Sequence, residues 1–205
     1  MSNELPHGER FAPLSLDHLS PEQKQITDRI LSGARKRIAG PWNALLRSPK
    51  LAEHVERLGE YARFHSSIPH RLYELTVLVV ARHLGAQYPW SVHHTLAIKA
   101  GIDPQVVAQI GAGKRPSAGL QADEAVIYDF CTELLGRKDV SDATYQAMTA
   151  RYGEPGVIDL IGIIGYYNLI SLAMLADRFP PQAGSPTLPP LQASGRDHWE
   201  DPTRT

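Results

Sequence analysis

The chain has 205 residues, 42% of them hydrophobic, with 21 basic against 22 acidic side chains and a single cysteine. That is apolar mass for one substantial core, the balanced charge leaves no field to steer a nucleic acid, and one thiol cannot form an intramolecular disulfide. The polar opening M-S-N-E-L-P-H-G-E-R has neither the basic nor the apolar region of a secretory signal, so a cytoplasmic, reducing setting is expected.

Residues 1–18 read as an N-terminal extension whose first dozen positions are loosely structured. Ser20-Pro21-Glu22-Gln23 is a helix start, with serine as N-cap, proline at the first helical position and glutamine at the third, leading a helix to about Ser32. Gly40-Pro41-Trp42 opens a short helix through Leu46. Ser48-Pro49 caps a longer one whose apolar positions Leu51, Val55, Leu58 and Ala62 recur at helical spacing. Residues 69–85 are ambiguous locally, because Thr76-Val77-Leu78-Val79-Val80 would pass for a buried strand. Length decides for a helix, since no turn residue interrupts residues 71–84 and strands rarely exceed about ten residues.

The next helix starts at Tyr88-Pro89-Trp90 and stops at Gly101, and Asp103-Pro104 starts another through Ile110. A flexible connector, residues 111–119, leads to an amphipathic helix over 122–135 with Cys131 on its apolar side. Ser141-Asp142 caps a helix through Arg151, Gly153-Glu154-Pro155-Gly156 turns the chain, and a long apolar helix runs to Arg178. Its most apolar part, residues 160–176, is short for a bilayer span of about 20 residues and contains Asn168 and Ser171, so it reads as buried in protein, in the core or at a subunit interface. Residues 179–205, rich in proline, read as an extended tail or as an arm around a neighbouring subunit. The expected architecture is all-α: one helical domain over residues 19–178, with short loops that make consecutive helices antiparallel neighbours.

The segment to explain is residues 71–94, where a carboxylate and imidazoles sit in largely apolar sequence. An ionised Glu74 inside an apolar helix must meet a positive or donor group, or hold its proton. Arg71, one turn earlier, can supply a structural bridge. His93 lies one turn into the following helix and His94 points about 100° away, so only one of them can face Glu74. His70 and Glu74 at i,i+4 also have a spacing suited to zinc or iron, with His93 or His94 as a third ligand.

The run E-L-x-x-L-x-V-A-x-x-x-x-A-x-Y-x-W-x-x-H beginning at Glu74, followed by A-x-x-A-G-I-x-x-x-x-V-x-x-I, resembles the carboxymuconolactone decarboxylase and AhpD-like (alkylhydroperoxidase D-like) superfamily. The lead-in I-A-G-P-W-N-A-L-L-R-S-P-K-L-A-E and the Tyr166-Tyr167-Asn168 helix are similar to its decarboxylase-like branch, so the resemblance covers about residues 38–177. It implies an all-helical bundle assembled as a homotrimer or homohexamer. Peroxidases of the superfamily carry a C-x-x-C pair between the glutamate and the histidine, and here those two positions hold Ala86 and Pro89. Alanine and proline can neither attack a peroxide nor resolve the product, so disulfide-based peroxidase chemistry is excluded there, whatever the family label.

What the resemblance leaves is a Glu74/His93 pair for cofactor-free acid/base work. In the decarboxylase branch, an anionic lactone loses carbon dioxide to leave a dienolate that is protonated on carbon, with histidine as a fitting acid. Glu74 would orient His93, and the expected substrate-binding residues are Arg71, Tyr88, Trp90, His94, Tyr167 and Asn168; Trp42 has less support. The expected partner is a small molecule, with no nucleic acid, membrane, metal or organic cofactor. The competing readings are a metal-binding protein and a non-catalytic oligomer that binds a small molecule.

Overall fold

A computed structural model describes residues 3–190, and the part of the expected extended tail or arm over residues 191–205 lies outside them. Eight helices follow in order: α1 Pro21–Ser32, α2 Trp42–Leu45, α3 Pro49–Phe64, α4 His70–Leu84, α5 Gln87–Lys99, α6 Pro104–Gly111, α7 Ala122–Arg137 and α8 Asp142–Ala176. The described residues hold no strand beyond one isolated bridge between Glu4 and Ser15.

The helix starts are chemically plain. Ser20 and Gln23 form a reciprocal capping box at α1, Asp103 accepts from the Gln105 N–H at α6, and Ser141 accepts from the Thr144 N–H at α8. The β-branched run that reads equally as a strand lies in α4. Every residue from Leu72 to Arg82 is buried there, because α5, α6, α7 and α8 all pack around it. Burial on all sides outweighs the few tenths of a kcal/mol per residue that β-branching costs a helix. Gly85, in the left-handed region at φ 66°, then turns the chain sharply into α5.

Four expectations need correcting. The turn expected over residues 153–156 is confined to Gly153: at φ 66° and ψ 177° it separates two helices within α8, as the sequence implied, but the second begins at once, so Pro155 lies in its first turn. The buried face of α3 is Ala52, Val55, Glu56, Gly59 and Ala62, whereas Leu51 and Leu58 point outward. α8 is long and apolar enough by length and composition to cross a membrane, yet half of its most apolar window is packed inside the bundle. The other half is an uncovered stripe of Ile158, Ile161, Leu169, Leu172 and Leu175, with open space beside Gly162 and Gly165.

The fourth concerns the ends, which are tied down along their described length. The buried Asp177 carboxylate accepts from the backbone N–H groups of Gly8 (2.8 Å), Arg10 (3.1 Å) and Phe11 (2.8 Å), and Leu5 enters the core. Gly8 approaches Asp177 so closely that a Cβ there would lie 2.2 Å from the Asp177 carbonyl oxygen. After α8 the chain folds back over its own subunit. Gln87 exchanges two 2.9 Å hydrogen bonds with the Leu188 backbone, and the buried Arg82 guanidinium donates to the carbonyls of Gly111 (2.9 Å) and Pro189 (2.7 Å). These bonds satisfy backbone groups that an extended chain would leave to water.

Candidate active site

Glu74 is in the first turns of α4, wholly buried, and His93 is in the middle of α5. Their side chains meet, with His93 Nδ1 2.6 Å from Glu74 Oε2. His93 Nε2 lies 3.1 Å from the Tyr167 hydroxyl on α8, which in turn hydrogen-bonds the Tyr73 hydroxyl on α4. On the outer side, the Nε2 of the exposed His70 is 3.6 Å from the other Glu74 oxygen.

Burial raises the pKa of both Tyr73 and Tyr167 above the ordinary phenol value, so both stay neutral. With His93 neutral, Glu74 accepts from its Nδ1–H, Tyr167 donates to Nε2 and Tyr73 donates to Tyr167; with both ring nitrogens protonated, Nε2–H donates to Tyr167, which donates to Tyr73. A carboxylate that fixes one ring nitrogen of a histidine and leaves the other free to take or give a proton is the arrangement general acid/base chemistry requires.

His93 and Tyr167 form the floor of a cavity of about 230 Å³. Its walls come from three parts of the chain: residues 34–42 between α1 and α2, Arg63 and Phe64 at the end of α3, and Tyr88, Pro89 and Val92 on α5, with Tyr166, Ile170 and Met174 of α8 closing it. Pro89, at one of the two positions where the resembled peroxidases carry thiols, is therefore a wall residue. Ala86 and Pro89 line a second, mostly apolar cavity of about 180 Å³ behind Tyr88. Cys131 is fully buried, and burial pushes its thiol up to about 12, so it is protonated at neutral pH.

The structure brings Glu74, His93, Tyr88 and Tyr167 to this site and takes Arg71, Trp90, His94 and Asn168 elsewhere. Arg71 pairs with Asp123 (2.6 Å) and Glu124 on α7, not with Glu74. Trp90 is buried, with its six-membered ring against Gly111, and His94 packs edge-on to that indole at 5.7 Å, with its pKa lowered by burial. Asn168 donates back to the Ile164 carbonyl at 2.9 Å.

Three arginines were missed from sequence: Arg35, Arg37 and Arg63 all line the cavity. The run Ala34-Arg35-Lys36-Arg37 looks like an ordinary solvated basic stretch, and Lys36 and Arg37 are exposed; Arg35 alone is half-buried. Trp42, Tyr73 and Tyr166 complete the surroundings. Among the described residues, no group of three or more His, Cys, Asp or Glu is arranged to hold a metal ion.

Comparison with known proteins gives the same segment a family. Residues 49–127, which include both Glu74 and His93, match the model of the carboxymuconolactone decarboxylase family. The resemblance read from the motif holds. The match covers less than half of the chain, and residues 34–42 and α8 lie outside it. No curated protein matches the chain. Among solved structures, an uncharacterized peroxidase-related protein from Silicibacter sp. TM1040 aligns at a TM-score of 0.68 with 14% identity, over 88% of this chain and 94% of that one. The debrominase Bmp8, in complex with 2,3,4-tribromopyrrole, aligns at 0.63 with 14% identity, over 92% and 95%. At such identities these likenesses establish the AhpD-like fold alone.

Proposed function

We propose that this protein is a cofactor-free acid/base enzyme acting on a small carboxylated lactone or carbonyl compound, with decarboxylation as the leading reaction. The observation that carries this reading is the buried Glu74–His93–Tyr167 chain, in which the imidazole nitrogen not held by Glu74 is paired with the Tyr167 hydroxyl and the ring lines a partly open cavity. In the proposed reaction, the bond from the substrate carbon to its carboxylate breaks, carbon dioxide leaves, and the electron pair passes into the conjugated carbonyl as a dienolate. His93, protonated at Nε2, gives that proton to carbon and is left as the Nδ1–H tautomer that Glu74 holds. Tyr167 fixes the plane of the ring. Once product leaves, water entering the cavity restores the proton at Nε2. The peroxidase alternative has no support here, because the two thiol positions are Ala86 and Pro89 and the sole cysteine is sealed in the core.

The reading includes a cytoplasmic homo-oligomer. The uncovered apolar stripe of α8 continues across α3, where the Tyr61 hydroxyl bonds Asp159 (2.8 Å) between Ile158 and Ile161, and on to Phe64 at the cavity mouth. A second copy seated on that stripe would bury it and narrow the mouth. Leu172→Glu is expected to shift the sedimentation profile from oligomer to monomer, while a monomeric wild-type protein would remove this part of the reading.

The catalytic reading is tested by incubating the protein in D2O with a panel of carboxylated unsaturated lactones and β-keto acids. Carbon dioxide release and one deuterium per product molecule are expected, both abolished in His93→Ala. Metal analysis of untagged protein provides a check on the competing class: a stoichiometric metal lost in Glu74→Ala would overturn the cofactor-free reading.

A further inference from the structure

Among the described residues, no carboxylate lies within ion-pair distance of Arg35, Arg37 or Arg63, although the other arginines that approach acidic groups form pairs of 3.7 Å or less. The Arg35 guanidinium sits 5.9 Å from the Trp42 ring centroid and 6.0 Å from that of Tyr166, and it donates to the Tyr166 hydroxyl at 3.2 Å. Its Nε is buried with no hydrogen-bond partner, as is the Nε of Arg63. Two cations held this way beside a cavity cost solvation that no ion pair within 4 Å returns.

The packing around Arg35 is permissive by one residue. A Cβ on Gly59 would lie 2.4 Å from the Tyr166 hydroxyl and 2.5 Å from an Arg35 terminal nitrogen, so the absence of a side chain at Gly59 makes room for the guanidinium and the phenol together. Tyr166 itself is buried, which raises its pKa and keeps it neutral, so it orients Arg35 without neutralising it. Glu56, behind Arg35, has its pKa raised by burial and by the neighbouring Glu60, which weakens it as a competing counter-ion.

We infer that Arg35, assisted by Arg63, is the anion-binding subsite of this cavity: it takes the carboxylate of a flat, unsaturated ligand and thereby sets which carbon faces His93. Arg35 and its platform of Trp42 and Tyr166 lie outside the segment that matches the family model, whereas Arg63 lies within it. A guanidinium that lines the cavity beside two aromatic rings offers a cation to a carboxylate, and flat aromatic walls suit a conjugated body. The inference rests on the proposed function for what happens at His93, but the binding it asserts stands apart from that chemistry.

The experiment measures binding of benzoate and of benzamide, its uncharged counterpart of the same shape, by titration followed through the indole N–H resonances and by calorimetry. Benzoate is expected to bind at least tenfold more tightly than benzamide, and Arg35→Gln to remove that preference. Arg35→Lys keeps the charge without the fork and is expected to lose most of the preference while keeping the wild-type unfolding profile, which separates recognition from misfolding. Equal affinity for the two probes, no benzoate binding, or an unchanged preference in both Arg35 variants would overturn the subsite. Benzoate binding that depends on Arg35 in a protein with no turnover would uphold it and remove the catalytic reading instead.

Discussion

Arg71 and Glu74 are one turn apart on α4, opposite in charge, and close enough to pair with each other, yet the fold sends them to opposite fates. Arg71 turns to α7, where Asp123 and Glu124 satisfy it in a closed cluster. Glu74 turns to α5, where it holds one nitrogen of His93 and leaves the other facing a cavity. A charge whose partners are complete contributes to stability and has nothing left to offer a ligand. A charge that directs a second group toward empty space has been placed for that group's sake. The distinction between structural and chemical residues on this helix is therefore one of valence left over, not of burial.

The largest expected effect that sharpens this contrast is on rate. Glu74→Gln and His93→Ala are each expected to lower turnover by roughly 10²–10⁴-fold with far-ultraviolet dichroism unchanged, as removal of a general acid or of its orienting group does. Arg71→Met should do the reverse. It leaves the buried Glu124 carboxylate without its guanidinium and is expected to cost about 3 kcal/mol in urea denaturation, with turnover per folded molecule preserved. A loss of rate in Arg71→Met without loss of stability would break the comparison.

A smaller effect lies behind the cavity wall. Burial, followed by the nearby Glu60, raises the pKa of Glu56 in the folded protein, so the folded state binds this proton more tightly than the unfolded chain does. The corresponding stability is complete below the ordinary glutamate pKa and is lost as pH rises through the raised folded value. Glu56→Gln, which resembles the protonated form, is expected to flatten that decline, as read from denaturation midpoints taken across the acid range.

Much of the architecture was legible because helix signals are local. The Ser20 capping box, Asp103 before Pro104, and Gly85 at the end of α4 each declare a boundary within four residues. What was not legible depends on contacts across the chain. Nothing near Asp177 announces that it will bind the backbone of residues 8–11, and nothing in Leu51 or Leu58 reveals that α3 is rotated to bury Glu56 and Gly59 instead. The site divides the same way. Glu74, His93 and Tyr167 were named from the motif and its resemblance, whereas Arg35 and Arg63 look like surface charges until α8 brings Tyr166 beside them. Gly153 shows the intermediate case, in which the turn signal was real but occupies one residue, with helix on both sides of it.

The central claim is that the His93 imidazole, held by Glu74, delivers a proton to substrate carbon. Its most direct test is the fate of solvent deuterium in the product formed in D2O by wild type, Arg71→Met and His93→Ala. This account predicts one deuterium at a single carbon for the first two proteins and no product above background for His93→Ala, although that variant stays folded. Undiminished, deuterium-labelled product from His93→Ala would contradict it.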